Sequence, residues 1–155
     1  MTDAETIITS YQALRARLDM ASGKKGVPEI LPVTKTVPAE RFTCLADVGV
    51  KSIGENRVQE ALEKQAALDG AFDIQIIGRL QTNKAREAAK LASMIQSLDR
   101  WELALELEKA AGKLNRVLDV LVQVNIGRDP AKAGIMEEDA EEFLAGLREV
   151  GCLEE

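Results

Sequence analysis

The chain contains no histidine among its 155 residues. The absence of an imidazole excludes a histidine base, the Ser-His-Asp and Cys-His arrangements of nucleophilic catalysis, and any histidine-ligated metal. Cysteine is also scarce: Cys44 and Cys152 are too few for a four-cysteine zinc site and too far apart for a CxxC motif. Carboxylates, lysines, arginines, amides, hydroxyls and the backbone remain as the groups available for chemistry.

Long apolar runs and an excess of positive charge are missing as well. No apolar run approaches the roughly 18 residues of a membrane span, and the first residues lack the basic start and apolar block of a secretory signal. Twenty basic side chains oppose 26 acidic ones, which gives a net charge of −6. This balance argues against binding to nucleic acid or to an anionic membrane. We expect a cytoplasmic protein with reduced thiols.

The chain does contain a strand, loop and helix unit that recurs five times after a first helix at 3–21. At about 150 residues per domain, we expect residues 1–155 to form a single domain. The predicted strands cover 29–34, 51–53, 72–77, 93–96 and 117–126, and Cys152-Leu153 opens a sixth. The helices between them begin near Pro38 and cover 57–69, 83–92, 99–112 and 137–150.

Successive βα units predict an α/β fold with a parallel sheet. In the strand 117–126, the even-numbered residues from Leu118 are apolar, whereas the other face carries Asp119, Leu121, Gln123 and Asn125. A doubly wound sheet buries both faces under helices, but a partly polar face suits a barrel interior. An edge strand would look similar. Because a complete eight-unit barrel has about 250 residues, the sequence predicts a partial (β/α)8 TIM-type barrel.

Ligands of parallel α/β folds bind at the carboxyl ends of the strands. Lys35 ends the first strand and shares a face with Leu31 and Val33, so we expect it to point into the interior. Burying an ammonium group costs several kcal/mol unless it is paired or loses its proton. A lysine without its proton is the nucleophile that forms a Schiff base with an aldehyde. The alternative is a side chain that reaches solvent from the strand end.

Further candidate positions lie at helix starts and strand ends. Asn56 suits a helix N-cap, with Gln59 completing a capping box, and it or nearby N–H groups could also face a ligand. Asp99 and Glu102 fit a second capping box. Gly78 favours a tight turn over close approach of the backbone to a flat ligand.

Several motifs in order resemble the pyridoxal phosphate homeostasis protein family. They are Leu-Pro-Val-Thr-Lys-Thr at 31–36, Ile-Gly-Glu-Asn-Arg-Val-Gln-Glu at 53–60, Ile-Ile-Gly-Arg-Leu-Gln-Thr-Asn-Lys at 76–84, Val-Gln-Val-Asn-Ile at 122–126 and Lys-Ala-Gly at 132–134. The resemblance implies the barrel of the alanine racemase N-terminal domain, bearing pyridoxal 5′-phosphate (PLP). It implies that Lys35 holds PLP as a Schiff base and that Asn56 lies beside the cofactor. It also implies a role in intracellular PLP (vitamin B6) homeostasis without established catalysis.

The chain departs from the family in two ways. Ile74-Gln75 stand where the family has Trp-His before its glycine motif. Family members are also longer, and their C-terminal part supplies the cradle for the PLP phosphate. We therefore expect a barrel that is incomplete at its C-terminal side, with open sheet edges through which two copies could associate.

Two other functions remain open at this point. A PLP-dependent racemase or decarboxylase would need a second acid/base group, and the single tyrosine, Tyr11, lies on the first helix. A truncated form would bind no cofactor because part of the site is missing. Turnover of an amino acid distinguishes the first alternative from a PLP carrier, and absorbance of the bound cofactor distinguishes the second.

Overall fold

The computed structural model describes residues 2–23, 26–151 and 153–154. In this part of the chain, six α-helices accompany a five-stranded sheet. The strands are β1 (Ser52–Glu55), β2 (Asp73–Ile76), β3 (Met94–Leu98), β4 (Leu118–Val122) and β5 (Leu153–Glu154). The helices are α1 (Asp3–Ser22), α2 (Ala39–Phe42), α3 (Val58–Leu68), α4 (Ala85–Leu91), α5 (Trp101–Lys113) and α6 (Ala140–Leu147). Short 3-10 helices adjoin α2, α4 and α6 at Thr43–Val48, Thr82–Lys84 and Glu137–Asp139.

The order of the strands identifies the architecture. Every neighbouring pair is parallel, and the strands lie in the sheet in the order in which they occur in the chain. A doubly wound sheet reverses this order at a switch point, and none of the described strands does so. Parallel strands in chain order with a helix between each pair are the construction of a (β/α)8 barrel. The predicted partial barrel of the TIM type is confirmed.

One end of the sheet differs from the sequence prediction, and the other end agrees with it. The predicted first strand at 29–34 forms only a single bridge, between Val33 and Gly54. Pro28 and Pro32 have no N–H to donate, which limits regular pairing in this segment. At the other end, the predicted sixth strand is present as β5, which pairs with β4; Cys152 itself lies outside the described residues.

The helix α1 begins where the sequence predicts. The Thr2 hydroxyl accepts the N–H of Glu5 at 3.2 Å, and the Glu5 carboxylate accepts the N–H of Thr2 at 2.8 Å. This capping box satisfies two of the N–H groups that every helix leaves free at its start.

Among the described residues, no helix combines the length and apolar character needed to cross a bilayer.

The core lies between one face of the sheet and the helices. The side chains that alternate along the strands join helix residues in one buried cluster. Its largest fully buried apolar members are Ile53, Ile76, Ile95, Leu98, Leu103, Leu107, Leu118 and Val120. Each such side chain stabilises the fold by about 1.5–3 kcal/mol relative to an exposed position. The opposite face of the sheet carries much less of the core.

The strand β4 shows both faces of the sheet. Leu118 and Val120 are buried, whereas Asp119 and Leu121 are exposed, so the alternation predicted from the sequence is confirmed for this strand. The exposed face corresponds to the interior of a closed barrel. On the neighbouring strands it carries Gln75 and Gln96, whose amide groups hydrogen-bond each other at 2.5 Å. This partly polar face is open to solvent at Asp119 and Leu121.

The predicted capping box at Asp99 is wrong. The helix α5 begins after Arg100, and no side chain caps it. Asp99 is buried and instead pairs with Arg100 and, at 3.1 Å, with Nε of Arg79. A buried carboxylate gains more from two guanidinium groups than from one backbone N–H, because charge-assisted hydrogen bonds are about twice as strong as neutral ones.

Candidate functional site

The carboxyl ends of the strands bring several predicted residues together. The Ser97 hydroxyl at the end of β3 donates to the carbonyl of Gly78 at 2.6 Å. Gly78, which follows β2, packs on the backbone of Asn56, which follows β1. Lys35 follows the extended segment that pairs with β1. Adjacent strands thus place these four residues along one edge of the sheet, where parallel α/β folds bind ligands.

Lys35 lies in an exposed turn, so the expected burial of its ammonium group is wrong. Val33, which shares its face, is 48% exposed. The reason is that the segment before Lys35 pairs with β1 alone among the described strands, so no described strand covers its other side. No described side chain pairs with the Lys35 ammonium group, which leaves its Nζ accessible to a ligand in solution.

The turn that carries Lys35 has an unusual backbone. The N–H of Val37 donates to the carbonyl of Thr34 at 3.0 Å and closes the turn around Lys35 and Thr36. Thr36 has a φ of 62°. The left-handed region is costly for a β-branched residue, and turns with positive φ at this position ordinarily use glycine or asparagine. Surrounding contacts must therefore hold this turn in place.

Those contacts come from a buried ion-pair network, which consists of Glu55, Glu60 and Lys64. The ammonium of Lys64 donates to Glu55 at 2.7 Å and to Glu60 at 2.8 Å. Lys64 is 8% exposed and Glu55 is fully buried. The same ammonium also donates to the carbonyl of Thr34 at 2.6 Å, and the Thr34 hydroxyl donates to Glu55 at 2.5 Å.

The network also reaches the far side of Lys35. The N–H of Thr36 donates to the carboxylate of Glu60. Burial works to lower the pKa of Lys64, but hydrogen bonds to Glu55 and Glu60 outweigh it and raise that pKa above its usual range. The hydrogen bond from Lys64 in turn lowers the pKa of Glu60. The geometry therefore favours the charged forms of Lys64 and Glu60.

Sequence reasoning missed this network. Helical spacing in the predicted helix 57–69 favours a packing side of Val58, Ala61, Leu62, Gln65 and Ala66. The buried residues of α3 are instead Val58, Ala61, Lys64 and Leu68. The i, i+4 spacing of Glu60 and Lys64 is the signal that was available. It is weak, because most such pairs lie on solvated helix faces.

Asn56 does not cap the third helix, contrary to the prediction. The helix α3 begins at Val58, its N-cap is Arg57, and no side chain forms a capping hydrogen bond. Asn56 is half-buried and lies one residue too early to cap. The alternative reading of Asn56, a residue that faces a ligand, stays a prediction.

Gly78 is a site of close backbone approach rather than a free turn. A Cβ at this position would lie 2.8 Å from Cα of Asn56. Real Cβ atoms do not come so close, so only glycine lets the loop after β2 pack on the loop after β1. The sequence favours a tight turn at Gly78, and the structure shows that the glycine also permits the close approach to the backbone of Asn56.

Asn125 organises its own loop and does not contact the other candidates. Its amide donates to the carbonyl of Asp129 at 2.8 Å, and its backbone N–H donates to Ile135 at 2.8 Å. Gly134, with a φ of 125°, packs against the N–H of Asn125. Residues 122–126 and 132–134 therefore meet in one folded loop at the end of β4.

Proteins of known sequence and structure resemble this chain over most of its length. A pyridoxal phosphate homeostasis protein of Aquifex aeolicus is 38% identical over 145 residues, which cover 93% of this chain and 64% of the relative. Another, from Pseudomonas aeruginosa, is 31% identical over 150 residues, or 96% of this chain and 65% of the relative. The chain spans less than two thirds of the length of these curated relatives.

Solved structures agree with the fold. PipY of Synechococcus elongatus, solved with PLP bound, has a TM-score of 0.74 and 32% identity, covering 87% of this chain and 65% of PipY. An alanine racemase of Clostridium difficile has a TM-score of 0.64 and 17% identity, covering 90% of this chain and 38% of the racemase. The second likeness concerns the fold alone. The family described as "Alanine racemase, N-terminal domain" matches residues 9–154. The chain therefore belongs to the alanine racemase N-terminal domain family.

Proposed function

We propose that this chain, as a single domain 1–155, binds PLP on Lys35 and takes part in PLP homeostasis. The observation that carries the proposal is the accessible Lys35 ammonium group on an anchored turn at the carboxyl edge of the sheet. The amine of Lys35 adds to an aldehyde carbon, and loss of one water leaves an imine. The curated relatives that this chain resembles are PLP homeostasis proteins, and PipY was solved with PLP bound.

The residues present fit the aldehyde end of PLP. Lys35 supplies the amine, and Asn56, half-buried at the same edge, supplies amide donors and an acceptor. PLP supplies an aldehyde and an electron-withdrawing ring. The residues that hold the phosphate belong, by the resemblance, to the part of the family that this chain does not span.

We further propose that the chain holds PLP without catalysing a reaction. A racemase needs a second acid/base group on the far side of the cofactor. Tyr11, the single tyrosine, lies on α1 and packs against the core. This position of Tyr11 supports a PLP carrier over a racemase. We expect the chain with PLP to convert no amino acid to product.

The proposal also includes the cellular location of the chain and its binding partners. A cytoplasmic location agrees with the free thiol of Cys44. Binding to nucleic acid or to a membrane surface is not part of the proposal, given the net charge of −6. Self-association through the open sheet edges is part of it, and PLP is the proposed small-molecule ligand.

The first experiment is an absorbance spectrum of the purified chain with added PLP, recorded beside Lys35→Ala. We expect a band near ~420 nm, typical of an imine, that borohydride removes by reducing the imine to a stable amine on lysine. The band should vanish in Lys35→Ala and persist in Lys51→Ala, a matched control at the opposite end of β1. A wild-type chain without the band, or a variant that retains it, contradicts the proposal.

A further inference from the structure

Lys35 sits between two residues that the buried ion-pair network holds by separate contacts. On one side, the carbonyl of Thr34 accepts from Lys64 at 2.6 Å, and its hydroxyl donates to Glu55 at 2.5 Å. On the other side, the N–H of Thr36 donates to Glu60. No hydrogen bond or ion pair joins the Lys35 side chain to the network. Its backbone is therefore fixed on both sides, while its side chain stays free.

Burying the charges of this network costs free energy that apolar residues packed at the same positions would not cost. Moving a charged group out of water carries a penalty of several kcal/mol, and an apolar residue of similar size is often as stable. Glu55 is fully buried, yet its Oε2 has no hydrogen-bond partner among the described residues. The positive φ of Thr36 adds local strain at the same place. The buried charge of Glu55 and the backbone strain at Thr36 therefore both lie beside the turn that carries Lys35.

We propose that the buried ion-pair network of Glu55, Glu60 and Lys64 is a positioning element that holds the Thr34–Val37 turn so that Lys35 reacts with aldehydes in preference to the other lysines. This inference rests on the proposed function. It assigns the three residues to positioning, since none of them has to touch the ligand. An unanchored turn would sample other directions for the Lys35 side chain, and misplacement of a reacting group lowers the rate.

Glu60 is the residue to change, because its loss spares the fold. Its side chain is 21% exposed, and Lys64 keeps its ion pair with Glu55 when Glu60 is removed. Glu60→Ala removes the acceptor of the Thr36 N–H, whereas Glu60→Gln retains an oxygen that can accept it. Glu63→Ala is the matched control, since Glu63 is exposed on the same helix and bonds Gln59 rather than the turn.

The experiment measures which lysines PLP labels. Each chain is treated with PLP and then borohydride, and mass spectrometry of the digest gives the ratio of label on Lys35 to label on exposed Lys51. We expect Glu60→Ala to lower this ratio about fivefold, and Glu60→Gln and Glu63→Ala to keep it within about twofold of wild type. General loosening of the fold would raise labelling at both lysines and would not lower the ratio.

Amide hydrogen exchange provides a reading that does not involve PLP. Exchange at the Thr36 N–H should quicken at least about tenfold in Glu60→Ala and stay unchanged in Glu63→Ala. A labelled wild type with an unchanged ratio in Glu60→Ala overturns the positioning role alone, as does unchanged exchange at Thr36. A wild-type chain that takes no label at Lys35 overturns the proposed function and the positioning role together.

Discussion

Gly78 is the residue on which contact between two loops of the site depends. A Cβ at this position would lie 2.8 Å from Cα of Asn56, so Gly78→Ala must push the two loops apart. We expect a loss of about 2 kcal/mol in the free energy of unfolding, measured by urea titration. Gly127→Ala is the control, because nothing lies within 4 Å of its Cβ, and it should change stability by less than about 0.5 kcal/mol. Equal effects of the two substitutions would contradict this role.

Glu60 makes stability depend on pH in the acid range. Its pKa is lowered in the folded chain, mainly by the hydrogen bond from Lys64, from the usual 4.5. A lowered pKa means that the folded state binds fewer protons, so the stabilisation is present above pH 4.5 and is lost as pH falls through the folded pKa. Urea titrations from pH 6 to pH 3 should show a steeper loss for wild type than for Glu60→Gln. Parallel curves would contradict the coupling.

At the scale of elements, the network joins α3 to β1 and to the turn of Lys35. Lys64→Met leaves Glu55 buried without a cation, and breaking such a pair costs about 3–5 kcal/mol. The double variant Glu55→Gln, Lys64→Met removes both charges and should recover most of this loss. Lys90→Met, at an exposed position on α4, is the control and should be nearly neutral. A double-mutant cycle measured by urea unfolding gives the coupling, and additive losses would contradict it.

The elements themselves could be predicted because their patterns are local. Apolar periodicity and glycine positions predicted α1 and five of the strands to within a few residues. The predicted strand at 29–34 reduced to one bridge, since two prolines remove donors that a ladder needs.

The site could be predicted only in part. Lys35 and Asn56 were visible in family motifs, which are contiguous in sequence. Burial of Lys64 was not visible, because it depends on Glu55 from β1 and Thr34 from the preceding segment, and such contacts leave no local pattern. Exposure of Lys35 also depends on the whole sheet, since it is set by which strands pair beside the segment that carries it.

At the scale of the whole molecule, the sheet has an unpaired edge beside β1. Gly54 bonds the carbonyl of Pro32 and the N–H of Thr34, so the N–H and carbonyl of Val33 between them point away from β1. No described group accepts the Val33 N–H. Such an edge is a template for pairing with another chain, and exposed Leu121 adds apolar surface on the open face of the sheet.

Self-association through this edge can be tested without disturbing the fold. Val33→Pro removes the outward N–H while leaving both hydrogen bonds to Gly54 intact. Sedimentation velocity at rising concentration should show wild type above its monomer mass of 16.9 kDa, and Val33→Pro should shift the equilibrium towards monomer by about tenfold or more. Leu121→Ser removes apolar surface from the open face and leaves the edge unchanged, so it should associate as wild type does. If Leu121→Ser dissociates and Val33→Pro does not, the copies meet through the open face of the sheet. A wild type that stays monomeric at every concentration contradicts association by either route.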